Sequence, residues 1–366
     1  MKAPTAALLA LFLLAAGLTA GESELPRLQP LAGAPPHPAD NSPTPEKIVL
    51  GRELFFDNIL SGDHRRSCSS CHKPELFFTD GFSRAWGLSE TELRRKTPTV
   101  LNVGWQQSMF FDSREKTLED QVSKPLENSF EMDLSPDEAV DRLKRDGYYV
   151  RLFEKAFPGE PLTFDLVAKA VASYERTLVS YDSDLDRYLL GDDDALGAEA
   201  KRGMALFSGK AGCIGCHSGP MLTDHQKHYT GVHEDQGDNP AGTKYKTQSL
   251  RDVMRRYSFM HNGNLLKIQD VIGHYAKGGS APPDQKAEIE PFEISIEEQS
   301  DLIAFLRSFN GRVTELVEAS PQSTDLFTIR RTPRRQADSG PTQDPNYIKK
   351  EEGPLQDPNY IPRKRQ

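Results

Sequence analysis

The 366-residue chain carries 45 lysines and arginines against 54 aspartates and glutamates, which gives a formal net charge of −9. This acidity argues against nucleic acid as the partner, and the length is sufficient for one large core or two cores of ordinary size. The chain has only four cysteines, and they stand in two pairs, an arrangement more specific than a disulfide framework.

Residues 1–20 have the features of an export signal. Lys2 precedes an apolar run from Ala6 to Leu14, and residues 18–20 resemble a signal-peptidase site. The alternative, a retained membrane anchor, needs about 20 apolar residues, more than this run supplies. We therefore predict cleavage of this signal and a periplasmic protein that does not span the membrane. The next segment, 21–42, contains many prolines and no apolar period, and it is predicted to be disordered.

Two stretches of sequence, CSSCH and CIGCH, follow the pattern C-x-x-C-H. In a c-type haem site the two thiols form thioethers with the porphyrin, and the histidine becomes an iron ligand. A zinc site would need the two cysteine pairs close together in sequence, but their first cysteines are 145 residues apart. A thioredoxin-like dithiol does not require the histidine. The sequence therefore predicts two covalently bound haem c groups, attached through Cys68, Cys71, Cys213 and Cys216, with His72 and His217 as iron ligands.

The two haem motifs lie within an internal repeat. Each is preceded by Gly-x-x-Leu-Phe, at residues 51–55 and 203–207. Beyond the motifs, KTPTVLNV from Lys96 aligns with KTQSLRDV from Lys246 at an offset of 150 residues. Self-similarity of this kind predicts two related units.

The segments between and after the motifs have helical signals. Ser135 and Pro136 open one helix, apolar residues recur at helical spacing within 163–180, and Ser295 with two glutamates opens another helix. We predict an all-α fold of two cytochrome c-like haem domains, over 43–190 and 195–314, related by internal duplication and joined by a linker near Gly191. Residues 315–366 are polar and repeat QDPNYI, so they are predicted to be a disordered tail.

Three further stretches extend the pattern: ELFFDNILSGD, CHKPELFFTDG and ERTLVSYDSDLDRYLLGD. With the two haem motifs, they resemble the bacterial di-haem cytochrome c peroxidases and their MauG-type relatives over residues 46–311. The resemblance implies that the 43–190 domain is peroxidatic and reacts with hydrogen peroxide, while the 195–314 domain transfers electrons. It also implies a soluble redox protein or a protein substrate as partner.

The members of this family differ in the distal ligand of the first haem. Ordinary peroxidases of the family place a histidine there, whereas this chain has no histidine between His72 and His217. An open distal face is therefore predicted, although Met109 and Met132 are conceivable ligands.

Three residues match the distal residues of the family. The resemblance assigns Glu131 as the acid or base and Gln121 as the hydrogen-bonding group that orients peroxide. Pro125 matches the distal proline, and it has no group that can bind iron.

Tyr275 is the predicted distal ligand of the second haem. Its spacing from Ile268, Val271 and Ile272 puts it on the apolar stripe of a helix and turns His274 outward to solvent. The repeat pairs Tyr275 with Pro125. The resemblance implies that methionine stands here in ordinary peroxidases and tyrosine in MauG-type enzymes. A core tyrosine is the alternative, and the rival iron ligands are His225, His228 and His233.

The chain also departs from the MauG pattern. Phe111 matches a tryptophan between the haems, and Ala211 matches a surface tryptophan through which MauG reaches its substrate. The resemblance implies a calcium ion between the haems as well, held by the Asn102 side chain and by the carbonyls of Arg256 and Ser258.

Three functions are therefore considered. The leading hypothesis is a MauG-type peroxidase that oxidises a protein side chain or a redox protein. The first alternative is an ordinary di-haem cytochrome c peroxidase that removes peroxide with electrons from a small cytochrome or copper protein. The second is an electron carrier with both irons closed and no catalytic role.

Overall fold

The computed structural model describes residues 27–232, 242–282 and 285–315. The predicted signal peptide at 1–20, all but the first residue of the predicted tail, and His233 lie outside these ranges. Within them, none of the helices is long and apolar enough to cross a membrane.

Helices dominate the described residues. The α-helices are α1 (Pro45–Phe56), α2 (Cys68–Cys71), α3 (Leu118–Glu127), α4 (Pro136–Arg145), α5 (Gly147–Ala156), α6 (Phe164–Glu175), α7 (Asp184–Leu189), α8 (Ala198–Ser208), α9 (Ile268–Ala276) and α10 (Ile296–Arg307). The predicted caps form: Ser135 Oγ accepts from the Glu138 N–H at the start of α4, and Ser295 Oγ accepts from the Glu298 N–H at the start of α10.

Four short strands accompany the helices, so the fold is helix-rich but contains some sheet. They are β1 (Leu178–Tyr181), β2 (Lys227–His228), β3 (Tyr245–Lys246) and β4 (Arg312–Glu315). β1 pairs antiparallel with β4, with Leu178 opposite Glu315, and β2 pairs antiparallel with β3. The apolar segment that begins at residue 163 is therefore helical only to Glu175, and its end forms β1.

A close helix pair lies at the centre of each half of the chain: α1 against α6, and α8 against α10. A glycine makes each approach possible. A Cβ added to Gly51 would lie 1.9 Å from the Ala170 carbonyl oxygen, and one added to Gly203 would lie 2.0 Å from the Asp301 carbonyl oxygen. Both glycines belong to the repeated Gly-x-x-Leu-Phe phrase, which explains why that phrase recurs.

Replacing either glycine by alanine is expected to destabilise the protein. The added methyl group meets backbone rather than a movable side chain, so the helices must separate, at a cost of about 1–3 kcal/mol or more. Chemical denaturation of Gly51→Ala and Gly203→Ala would measure the loss. Gly197→Ala is the control, because no atom lies within 4 Å of its added Cβ. Unchanged stability in both core variants would contradict the packing.

The two halves also share their loop geometry at the offset of 150 residues. Asn102 and Asp252 both have positive φ, 58° and 55°. The Asn102 N–H donates to the Leu178 carbonyl, just after α6, and the Asp252 N–H donates to the Phe309 carbonyl, just after α10. Repeated sequence thus corresponds to repeated backbone structure.

Two lysines at equivalent positions reach across between the halves. Lys96 Nζ donates to the Ser258 carbonyl at 2.5 Å, and Lys246 Nζ donates to the Ser108 carbonyl. Both lysines are buried, and both accepting serines are themselves related by the repeat offset. The contacts between the halves therefore have approximate two-fold symmetry.

The prediction of disorder across 21–42 is wrong for its described part, 27–42. Leu28 forms a bridge with Gly219, and the buried Leu31 donates its N–H to the Asp186 carboxylate at 2.9 Å. Buried Asn41 donates to a main-chain carbonyl of α6. The prolines keep the segment extended, and a few buried side chains fix it along both halves, which composition alone does not reveal.

Candidate active site

The four cysteines have the surroundings expected of haem-attaching thiols. None forms a disulfide, and all are half-buried. Burial is the main cause that raises the pKa of Cys68 to about 12, of Cys213 to about 12 and of Cys216 to about 11. Thiols this strongly held in the neutral form are poor redox or zinc-binding groups.

Both motif histidines are oriented in the same way. His72 Nδ1–H donates to the Phe78 carbonyl, and His217 Nδ1–H donates to the Leu222 carbonyl, each at 3.1 Å. These bonds leave Nε2 of each ring to face away from the Nδ1 partner, although the His72 ring also interacts with the Pro98 backbone. Burial lowers the pKa of both histidines, that of His217 to about 4, so each ring is neutral, as iron ligation requires.

A cavity of about 690 Å³ adjoins the first motif. Cys68 and His72 line it together with Pro125 and Glu131. Thiols outside any disulfide, a neutral histidine and a cavity of this size fit a covalently attached haem. Among the described residues that line the cavity, His72 is the only histidine.

Helix α3 supplies two of the predicted distal residues. Gln121 and Pro125 are one turn apart and both line the cavity. The chain after the helix then folds back, because the Met132 N–H donates to the Pro125 carbonyl at 3.2 Å. This return brings Glu131 to the same cavity, so the structure brings the three predicted residues together.

Glu131 is held in place by a neighbouring amide. Asn128 Nδ2 donates to Glu131 Oε1 at 2.7 Å. Burial raises the pKa of the Glu131 carboxyl, against the opposing effects of Asn128 and Arg114. A carboxyl group with a raised pKa is better suited to donate and accept a proton near neutral pH.

The two methionines named as conceivable ligands are buried at the cavity wall. Met109 packs with Leu118 and Ala172, and Met132 belongs to the main hydrophobic cluster of the first half. These surroundings account for both side chains as packing residues.

Tyr275 lies near the second pair of cysteines. Ile268 and Ile272 fix the face of α9, since both are buried in the core of the second half. Burial first, and then the Cys213 and Cys216 thiols, raise the pKa of the Tyr275 phenol. The phenol therefore lies near the second attachment site, and its ligation of the second haem stays a prediction.

The prediction that His274 faces solvent is wrong. His274 is half-buried, its Nε2–H donates to the Thr230 carbonyl at 2.7 Å, and its Nδ1 lies 3.4 Å from Ser280 Oγ. The polar side of α9 is covered by the loop at Thr230, 44 residues away, and by the turn that follows the helix at Ser280, so helical period alone could not identify its surroundings.

Of the two described rival histidines, His228 has partners at both ring nitrogens, whereas the buried Nδ1 of His225 has no hydrogen-bond partner among the described residues. His228 lies between two carboxylates, with Nε2 2.7 Å from Asp224 Oδ2 and Nδ1 3.5 Å from Glu288 Oε2. The ligand atoms of Cys216, Asp224 and His228 lie within 4.8 Å of one another. His225 is half-buried, and burial lowers its pKa.

The residues expected to hold calcium have other partners. The Asn102 side chain forms two hydrogen bonds with the Ser180 backbone: Oδ1 accepts from the N–H at 2.8 Å, and Nδ2 donates to the carbonyl at 2.9 Å. The Ser258 carbonyl accepts from Lys96. Arg256 donates through its guanidinium to two backbone carbonyls of its own half. Two of the three oxygens expected to bind calcium, Asn102 Oδ1 and the Ser258 carbonyl, thus already accept hydrogen bonds, which does not fit a calcium site.

Sequence reasoning missed three groups at this site. Burial raises the pKa of Glu175, which lines the cavity, to about 8. Burial, and then the Arg256 guanidinium, lower the pKa of Lys96 to about 7. Trp86 stands at the cavity with 42% of its surface exposed. The recurrence of the lysine at position 246 was the one available signal, whereas the other two have no periodic pattern.

The two positions at which this chain departs from the MauG pattern, Phe111 and Ala211, have ordinary packing and backbone hydrogen bonds. Phe111 is buried at the cavity, and its carbonyl accepts from the Lys246 N–H at 2.7 Å. Ala211 lies two residues before Cys213 and closes the turn after α8 by donating its N–H to the Leu206 carbonyl.

Comparison with known proteins finds several relatives of this chain. Residues 45–194 match the family described as di-haem cytochrome c peroxidase. The chain is 43% identical over 287 residues to methylamine utilization protein MauG of Methylorubrum extorquens, covering 75% of this chain and 81% of the relative. It is 32% identical over 337 residues to cytochrome-c peroxidase IdrP1 of Denitromonas iodatirespirans, covering 81% and 89%.

A solved structure is also similar. The crystal structure of a MauG-like protein associated with microbial copper homeostasis superposes with a TM-score of 0.70 at 30% identity. The match covers 84% of this chain and 99% of the other.

Proposed function

Because the chain belongs to the di-haem cytochrome c peroxidase family, which includes MauG, we propose that it is an exported, periplasmic enzyme of MauG type. It is a di-haem peroxidase with a helix-rich fold. The finer proposal is that it uses hydrogen peroxide to oxidise a protein side chain or a soluble redox protein. The acidic charge of the chain, −9, favours a neutral or basic protein partner.

We assign one haem to each half of a duplicated chain. The matched glycine crossings, the matched loop geometry and the reciprocal lysine contacts support the duplication. Thioether bonds through the four cysteines would hold the haems, with Nε2 of His72 and of His217 on the irons. When bound, haem supplies an iron that exchanges electrons with peroxide.

The residues of the first cavity would handle the protons of peroxide. Glu131 accepts a proton from the near oxygen of peroxide and returns it to the far oxygen as the O–O bond breaks, and Asn128 holds the carboxylate in position. The Gln121 side chain orients the far oxygen by hydrogen bonding. Pro125 lines the same cavity and would leave the haem without a ligand at that position, because its ring offers no ligand atom.

The position of Tyr275 is the observation that carries the MauG-type assignment. Its phenol faces the thiols of Cys213 and Cys216 from the last turn of α9. As a phenolate ligand it would favour the oxidised form of the second haem, whereas a methionine thioether would favour the reduced form. A second haem of this kind shares oxidising equivalents better than it stores electrons.

The reaction with peroxide tests this function. Adding hydrogen peroxide to the purified ferric protein, with no reductant, is expected to change the haem absorption bands promptly, because no ligand has to leave the first site. The matched control is the same protein after partial reduction. Inertness until reduction would contradict the proposal and indicate an ordinary cytochrome c peroxidase. Two low-spin, six-coordinate haems that never react would indicate an electron carrier.

A further inference from the structure

We propose that the amino group of Lys96 takes the place of the calcium ion that the family resemblance implies between the two haems, so that the protein binds the two halves together without metal. The inference rests on family membership and on the contacts of the described residues. It does not depend on the reaction with peroxide.

The Ser258 carbonyl already has a partner at the distance of a metal ligand. Lys96 Nζ lies 2.5 Å from this oxygen, and calcium binds its oxygen ligands at about 2.3–2.6 Å. A calcium ion on the same oxygen would displace the amino group or lie close beside it. Withdrawal of the buried lysine would break its contact with the other half.

The expected side-chain ligand, Asn102, is also engaged. Asn102 Oδ1 accepts from the Ser180 N–H at 2.8 Å, and its Nδ2 donates to the Ser180 carbonyl at 2.9 Å. Rotation of this amide toward a metal would leave both backbone groups of buried Ser180 without their bonds. The side chain is therefore fixed by β1.

The charges around Lys96 do not favour a divalent cation. The Arg256 guanidinium lies close enough to lower the pKa of Lys96. It would therefore also repel a calcium ion at this position. The nearby carboxylate of Asp80 already accepts from the Phe82 N–H and from the Thr97 hydroxyl. Calcium sites usually gather several carboxylate and carbonyl oxygens, and among the described residues no cluster of acidic side chains is found here.

The repeat provides a direct comparison. Lys246, at the equivalent position of the second half, donates to the Ser108 carbonyl and also to Gln106 Oε1 at 3.2 Å. The position equivalent to Gln106 on the other side is Arg256, which offers no acceptor in its side chain. Lys96 is therefore one of two matched contacts, and only it meets a carbonyl expected to bind metal.

Calcium content and thermal unfolding of the purified holoprotein test the proposal. The wild type is expected to hold far less than one calcium per chain by elemental analysis, and neither a chelator nor added calcium should shift its unfolding temperature. Lys96→Met removes the amino group at similar length and leaves a buried carbonyl unpaired, so its unfolding temperature should fall by about 2–8 °C. Lys96→Ala opens the space, and added calcium should then raise its unfolding temperature.

Lys246→Ala is the matched control, because it frees the equivalent carbonyl where no calcium is expected. Its unfolding temperature should be lower than that of the wild type and should not respond to calcium. One calcium per wild-type chain, removed by chelator with a fall in unfolding temperature, would overturn the proposal. This measurement on the wild type decides the matter even if the variants fail to fold.

Discussion

Glu131→Gln is expected to slow the reaction of the ferric protein with hydrogen peroxide by about 10²–10⁴-fold, the usual contribution of a positioned acid or base. The amide keeps the size of the side chain and keeps an oxygen for the 2.7 Å bond from Asn128. It cannot take up the peroxide proton. Stopped-flow absorption at several peroxide concentrations would give the rate constant for the wild type and the variant.

A nearby glutamate supplies the control for this prediction. Glu127 is exposed at the end of α3 and does not line the cavity, so Glu127→Gln changes the net charge equally but removes no group from the site. Its rate should match that of the wild type. If Glu131→Gln reacted as fast as Glu127→Gln, the proton-transfer role of Glu131 would have to be abandoned.

The second large effect is expected from Tyr275→Phe. Loss of the phenol oxygen removes the proposed ligand of the second haem while preserving the ring in its half-buried position. The absorption and paramagnetic resonance spectra of that haem should change, and its reduction potential should rise, because an anionic oxygen no longer favours the oxidised iron. A spectroelectrochemical titration of both haems would measure the change.

Two further variants separate ligation from general disturbance of the domain. Tyr188→Phe removes a phenol from α7, which packs on the same hydrophobic cluster, and should leave the second-haem spectrum unchanged. His274→Gln tests the adjacent histidine, whose nitrogens already bond to Thr230 and Ser280. An unaltered spectrum in Tyr275→Phe together with an altered one in His274→Gln would assign the ligand to the histidine.

Local signals predicted the parts of this protein that depend on neighbours in the sequence. Ser135 and Ser295 cap their helices because a serine followed by acidic residues satisfies the first free N–H groups. The apolar stripe of α9 identified the face that carries Tyr275, because Ile268 and Ile272 must be buried.

Contacts between distant segments could not be predicted in this way. The Lys96 contact spans 162 residues, and the partner of His274 is 44 residues away, so no periodic pattern reports either of them. Composition was misleading for 27–42, where the burial of Leu31 and Asn41 outweighs the many prolines. The repeat was the exception, because aligning the halves relates residues that are far apart in the chain.

The pairing of β1 with β4 joins two segments that lie on opposite sides of the predicted domain boundary. The domain boundary proposed from the sequence falls near Gly191, yet the last described strand, β4, returns to complete the edge of β1 on the other side of that boundary. Leu185 of α7, before the boundary, packs in the core of the second half. A cut at Gly191 would therefore separate β1 from β4 and remove Leu185 from the core of the second half.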